Sequence, residues 1–168
     1  QTVPDVQFIA PKLSSDAPAY DETHPENLTE DQLYAKSAIL IEASTGEVIF
    51  EKNADEPMYP ASTTKIMTVL LGLTIGKTNS MMDETVTVTQ EDLNLPTEDP
   101  SLIPMAAGET IRLEDLLYAT MVKSGNEGAN AIARTISGTV WDFVDLMNQT
   151  AQMLGCTSTH FVNPHGLH

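Results

Sequence analysis

The chain has 168 residues, 41% of them hydrophobic, which suits one globular domain and excludes a wholly disordered protein. It carries 24 acidic and only 8 basic residues, a net charge of −16, so neither nucleic acid nor an anionic membrane is expected as a direct partner. The single cysteine, Cys156, cannot form an internal disulfide and is predicted to be a small, partly buried hydrophobic residue.

The first part of the chain divides into an arm and a hairpin. Residues 1–32 are predicted to form an irregular N-terminal arm, because prolines recur there among serines and acidic residues. No apolar run is long enough to span a bilayer, and the polar start suits an exported protein whose signal has been removed. Two β-rich runs, 37–41 and 47–50, flank the turn-like segment 43–46 and predict a β-hairpin.

A helix is predicted to begin near Ser62, because the apolar run 66–71 follows a group of residues that favour helix starts. Gly76 is expected to end this helix. The segment 72–78 resembles a phosphate-binding loop, but it is one residue short of the required spacing and follows a helix rather than a strand.

Hydrophobic periodicity, turn residues and capping residues predict the remaining elements. In chain order they are a short strand at 85–89, a loop at 90–108, helices at 113–123 and 127–134, and a last helix from Thr139 to about Leu154, which Gly155 ends.

The tetrad from Ser62 to Lys65 is a Ser-x-x-Lys motif at the start of the first predicted helix. Positions three apart lie on one face of a helix, so the Ser62 hydroxyl and the Lys65 amine are expected to be neighbours. A hydroxyl becomes a good nucleophile when a base takes its proton, and a partly desolvated lysine can be that base. The alternative is an ordinary helix start, for which Ser and Thr are common.

A second motif, Ser124-Gly125-Asn126, lies between two predicted helices. A Ser-x-Asn triplet at such a turn can direct a hydroxyl and an amide into a cleft. The alternative is a helix end, because glycine is a normal C-terminal signal. Ser-x-x-Lys and Ser-x-Asn are two of the three motifs that characterise penicillin-binding proteins and β-lactamases.

On these motifs the chain resembles the D-alanyl-D-alanine carboxypeptidases, the low-molecular-mass penicillin-binding proteins of serine peptidase family S11. The resemblance extends from about Tyr34 to His168. It is carried by four stretches in family order: 35–43, 60–68, 116–118 with 124–130, and 159–167. Ser-Gly-Asn in the second motif favours this group over class A β-lactamases.

The resemblance implies an α+β fold of the β-lactamase/transpeptidase type, with a cluster of helices and an antiparallel sheet. It implies that Ser62 is the nucleophile, Lys65 the base and Ser124 a proton relay to the leaving D-Ala. Asn126 would bind the substrate peptide and help to hold Lys65. The reaction would remove the terminal D-Ala of peptidoglycan stem pentapeptides through an acyl-enzyme and would need no metal or cofactor. It would take place outside the cytoplasm of a bacterium. The resemblance also implies that β-lactams acylate the same serine.

The chain departs from the family in one respect, because the third motif, Lys-Thr-Gly, does not occur in it. Residues 33–168 are therefore expected to be a catalytic domain without its C-terminal strands, with impaired activity. The hairpin would then expose a sheet edge through which two chains could dimerise or exchange segments. Two alternatives stay open, a catalytically inactive interaction module of the same fold and a β-lactamase-like enzyme.

The histidines near the C-terminus raise the question of a metal site. His160, His165 and His168 lie in an irregular stretch without the spacing of helical ligands. The His165 stretch matches a family turn that packs near the core. A structural role is therefore predicted for His165, and no metal site is predicted.

Overall fold

The computed structural model describes residues 34–95 and 103–167. The predicted arm at 1–32 lies outside the described residues, as do His168 and part of the predicted loop at 90–108. The described residues form two compact units, which are 34–58 and 59–95 with 103–167. Within these ranges, no helix has the length and hydrophobicity needed to cross a bilayer.

The first unit contains the predicted hairpin. Strand β1 (Ala38–Ile41) pairs antiparallel with β2 (Val48–Lys52), and the register shifts between Leu40 and Ile41. The Glu42 carboxylate accepts hydrogen bonds from the backbone N–H groups of Ser44 and Thr45, which fixes the turn between the strands. Apolar side chains on both strands stay about half exposed.

The second unit is a cluster of four helices with a two-stranded sheet. The helices are α1 (Thr64–Thr78), α2 (Leu113–Lys123), α3 (Asn126–Ser137) and α4 (Val140–Met153). The strands are β3 (Thr85–Thr87) and β4 (Thr110–Arg112), which pair antiparallel. Helix α1 packs against both α2 and α3, and α3 packs against α4.

The helix boundaries follow local capping chemistry. The Thr139 hydroxyl accepts a hydrogen bond from the Asp142 N–H at 3.0 Å and so begins α4 as predicted. Just beyond the end of α4, Gly155 takes the left-handed conformation, with a φ of 81°. The predicted hairpin, the strand at 85–89 and the four helices are therefore confirmed within a few residues.

The core lies between the helices and is almost entirely aliphatic. Its buried members come from all four helices and from β3, and they are Leu71, Val86, Leu113, Leu116, Leu117, Ala131, Ile132, Ala133, Ile136, Phe143, Val144 and Met147. An ion pair closes one side of the core, because Arg134 on α3 binds the fully buried Asp92 at 2.7 Å. The same carboxylate accepts the Thr89 N–H, which ties the turn after β3 to α3.

Two expectations from the sequence were wrong. Gly76 does not end the first helix, which continues to Thr78. A Cβ at Gly76 would lie 3.0 Å from the Met82 sulfur and 3.1 Å from Leu113 Cδ2, so glycine permits close packing there. Cys156 is exposed rather than partly buried, because it follows the end of α4 in a surface turn.

Replacing Phe143 by alanine should lower the free energy of unfolding by about 3–5 kcal/mol, since its ring is fully buried and would leave a cavity. Trp141→Ala is the matched control, because that aromatic side chain lies on the same helix and is 77% exposed. Urea denaturation of both variants measures the difference. Equal losses from the two substitutions would contradict the assigned core.

Candidate active site

The Ser-x-x-Lys motif lies where a short 3-10 turn, Ala61–Thr63, continues directly into α1. The Lys65 ammonium Nζ lies 3.2 Å from the Ser62 hydroxyl Oγ and donates a hydrogen bond to it. Lys65 is only 2% exposed, whereas Ser62 is exposed. The predicted contact between hydroxyl and amine is therefore present, with the hydroxyl accessible from solvent and the amine buried.

The Lys65 amine has a second partner far along the chain. Its Nζ donates a hydrogen bond to the backbone carbonyl of His165 at 2.8 Å. One turn of helix further on, the Thr68 hydroxyl donates to the Pro164 carbonyl at 2.6 Å. Two side chains of α1 thus bind two consecutive carbonyls of a turn formed by residues 163–167, which we call the lysine-binding turn.

The side chain of Asn163 stabilises the lysine-binding turn internally. Its Oδ1 accepts the N–H groups of His165 and Gly166, and its Nδ2 donates to the Leu167 carbonyl at 2.6 Å. The His165 ring is buried, and its Nδ1 accepts the Leu167 N–H at 3.1 Å. His165 therefore has a structural position, and among the described residues no group of three His, Cys, Asp or Glu could hold a metal ion.

Gly166 is required for the turn to approach the motif this closely. It has a φ of 87°, and a Cβ there would overlap the carbonyl oxygen of Ala61. Ala61 itself has a φ of 47°, which is rare for a residue with a side chain. The backbone immediately before Ser62 is therefore constrained by direct contact with the turn.

The second motif lies at the junction of α2 and α3, and α3 packs against α1. Ser124 ends α2 in the left-handed conformation with a φ of 59° and is partly exposed. Gly125 precedes the first residue of α3, Asn126, which is 1% exposed. The motif therefore turns the chain from one helix into the next within two residues.

The Asn126 amide is buried, and neither its Oδ1 nor its Nδ2 has a hydrogen-bond partner in the part of the chain that the structure describes. Asn126, which the resemblance implies helps to hold Lys65, makes no hydrogen bond to it in this structure. A buried amide without partners is costly in a folded protein, and such groups commonly mark a position where a water or a ligand binds.

Glu127 was not singled out from the sequence, although it is buried beside Asn126. Its Oε1 accepts the backbone N–H of Ile103, and its Oε2 has no hydrogen-bond partner among the described residues. Burial raises the pKa of this carboxyl above its ordinary value, against the opposing effects of nearby backbone N–H groups and the Lys65 charge. The negative side chain in the first turn of α3 also suits the positive end of the helix.

The family model for D-alanyl-D-alanine carboxypeptidases of the peptidase S11 type matches residues 23–168. The chain belongs to this family. D-alanyl-D-alanine carboxypeptidase DacF of Bacillus subtilis is 39% identical over 134 residues, which are 79% of this chain and 34% of that protein. DacC of Escherichia coli is 34% identical, with 79% of this chain and 34% of that protein covered.

Solved structures of a D-alanyl-D-alanine carboxypeptidase and of a penicillin-binding protein share this fold over the part that the chain covers. The D-alanyl-D-alanine carboxypeptidase DacD of Francisella tularensis superposes with a TM-score of 0.77 at 34% identity, covering 86% of this chain and 34% of that one. Penicillin-binding protein D2 of Listeria monocytogenes in its cefotaxime-bound form has a TM-score of 0.66 at 30% identity, covering 80% and 53%. The predicted α+β transpeptidase-like fold is confirmed, and the chain spans about a third of the curated S11 relatives it matches.

Gly166→Ala should be strongly destabilising, because the new Cβ would collide with the Ala61 carbonyl as well as strain the backbone. We expect a loss of about 3–4 kcal/mol in the free energy of unfolding. Gly155→Ala is the matched control, since Gly155 has a similar φ of 81° but open space around it. That control should lose only about 1–2 kcal/mol, and equal losses in a denaturant titration would contradict the close contact.

Glu127→Gln should change stability in a pH-dependent way. Because the carboxyl has a raised pKa in the folded state, ionising it costs stability as the pH rises from its ordinary value of 4.5 through the raised value. Glutamine does not ionise, so the variant should gain stability relative to wild type across that window and then keep a constant difference. Urea titrations at several pH values measure the free energy of unfolding of the variant and of wild type, with Glu84→Gln, at an exposed position, as the control. A stability advantage of Glu127→Gln that shrinks with rising pH would contradict the raised pKa.

Proposed function

We propose that this chain carries the nucleophile and the base of a serine-type D-alanyl-D-alanine carboxypeptidase. The observation that supports this most is the hydrogen bond between an exposed serine hydroxyl, Ser62, and a buried amine, Lys65. A surface lysine at a helix start would extend into water, where its strongly hydrated ammonium is stable. Enclosing the amine against a hydroxyl suits proton transfer from that hydroxyl.

In this proposal the Ser62 oxygen attacks the carbonyl carbon of the penultimate D-Ala, and Lys65 in its neutral form accepts the hydroxyl proton. The Ser62 N–H would be one donor to the resulting oxyanion. Lys65 then passes this proton through the Ser124 hydroxyl to the D-Ala nitrogen, the C–N bond breaks as the tetrahedral intermediate collapses, and the terminal D-Ala leaves as an amine. Water then releases the acyl group from Ser62.

Asn126 is proposed to bind the peptide backbone of the substrate. Its buried Oδ1 and Nδ2 are one acceptor and one donor without partners, the pair that a peptide group can satisfy. The substrate class is the stem peptide of bacterial peptidoglycan, and the place of action is outside the cytoplasm, because the relatives are penicillin-binding proteins of bacteria. Association of two chains through the edge of the β1–β2 hairpin stays a prediction.

β-Lactams are the proposed covalent inhibitors, and they provide the direct test. We expect that incubating the folded chain with penicillin adds one penicillin mass, detected by intact-mass spectrometry. Ser62→Ala should abolish the adduct, and Ser158→Ala, which changes an exposed serine in a turn, should leave it unchanged. An adduct that survives Ser62→Ala, or none on a folded wild-type sample, would contradict the proposal.

Rapid turnover of a chromogenic cephalosporin without a lasting adduct would instead favour the β-lactamase-like alternative.

A further inference from the structure

The turn that carries Ser124 and Asn126 is short and strained. Only Ser124 and Gly125 separate α2 from α3, and Ser124 has left-handed backbone angles with φ 59° and ψ 33°. Such a conformation costs on the order of 1 kcal/mol or more for a residue with a side chain, and it persists only when the surroundings fix it. Something beside the turn must therefore hold it in place.

The chain segment at Ile103 packs directly against this turn. A Cβ at Gly125 would lie 2.5 Å from Ile103 Cδ1, and a Cβ at Gly128 would lie 3.1 Å from the same atom. The two glycines thus form a notch at the start of α3 that the isoleucine side chain fills. Any larger residue at Gly125 would force Ile103 out of it.

Glu127 binds the backbone of the same segment. Its Oε1 accepts the Ile103 N–H, so the notch holds the side chain of Ile103 and the carboxylate holds its main chain. Glu127 itself is 1% exposed, so this anchor is inside the protein and adjacent in sequence to Asn126.

We infer that Glu127 is a positioning residue of the active site. By binding the Ile103 N–H it holds Ile103 in the notch, and this contact fixes the orientation of Ser124 and Asn126. The inference rests on the proposed function, because Glu127 would act through Ser124 and Asn126, whose roles belong to that proposal. Glu127 itself is assigned no contact with substrate. The positioning role accounts for a hydrogen-bond acceptor at this buried position beside the α2–α3 turn.

The test compares Glu127→Ala with Glu127→Gln. Alanine removes the acceptor for the Ile103 N–H, whereas glutamine keeps a carbonyl oxygen at the same distance from the backbone. We expect Glu127→Ala to lower the second-order rate constant of acylation by penicillin by about 10²-fold, as misplaced catalytic groups typically do. Glutamine should restore most of that rate. Hydrogen exchange of the Ile103 amide should accelerate in the alanine variant and stay slow in the glutamine variant.

A control is needed for destabilisation alone. Val144→Ala removes buried side chain on α4, which is neither of the two helices that the α2–α3 turn joins, and should keep the wild-type acylation rate wherever it is folded. If Val144→Ala loses as much rate as Glu127→Ala at equal stability, the positioning role is contradicted.

The pH profile of acylation separates positioning from an effect of charge. The charged group that faces Glu127 from the neighbouring helix is Lys65 on α1. A positioning role predicts that Glu127→Gln keeps most of the maximal rate of that profile, even where loss of the charge beside Lys65 moves the profile along the pH axis. A shifted profile with a rate as low as that of Glu127→Ala would overturn the inference in favour of charge acting on Lys65. If wild type itself is not acylated, the proposed function fails, while the exchange of the Ile103 amide still reports whether the anchor exists.

Discussion

The Lys65 ammonium lies inside the protein, and the geometry of the site follows from how it is held there. A buried amine must have its donors satisfied, or its burial costs several kcal/mol. The Ser62 hydroxyl and the His165 carbonyl each accept a hydrogen bond from the Lys65 amine. Because the His165 carbonyl is a hundred residues away in sequence, this one contact joins the first turn of α1 to the C-terminal end of the described chain.

The two motifs are supported by the same physical means. Before Ser62, Ala61 has a left-handed backbone, and the lysine-binding turn fits against it only because Gly166 has no side chain. At the second motif, Ser124 has a left-handed backbone, and Ile103 fits against the turn only because Gly125 has no side chain. In both places a residue with a left-handed backbone, Ala61 next to one proposed site residue and Ser124 as another, lies against a distant segment that approaches through a glycine.

The helices were predictable because their signals are local, such as the periodic apolar residues of α2 and the capping hydroxyl of Thr139. The Ser62–Lys65 contact was predictable for the same reason, since helical geometry alone brings positions three apart together. The extension of α1 through Gly76 was not predictable, because the reason for that glycine is the close packing of Met82 and Leu113. The anchor at Glu127 was missed because its partner is a backbone N–H, which no residue pattern specifies.

The burial of Lys65 can be measured directly by labelling amines in the folded chain and mapping the modified lysines by mass spectrometry. Lys65 should react far more slowly than the exposed Lys77 and Lys123, and all three should react alike once urea unfolds the chain. Labelling of Lys65 at the rate of Lys123 in the folded protein would mean that the lysine-binding turn does not enclose the amine. The pairing of Ser62 with a buried base would then be contradicted.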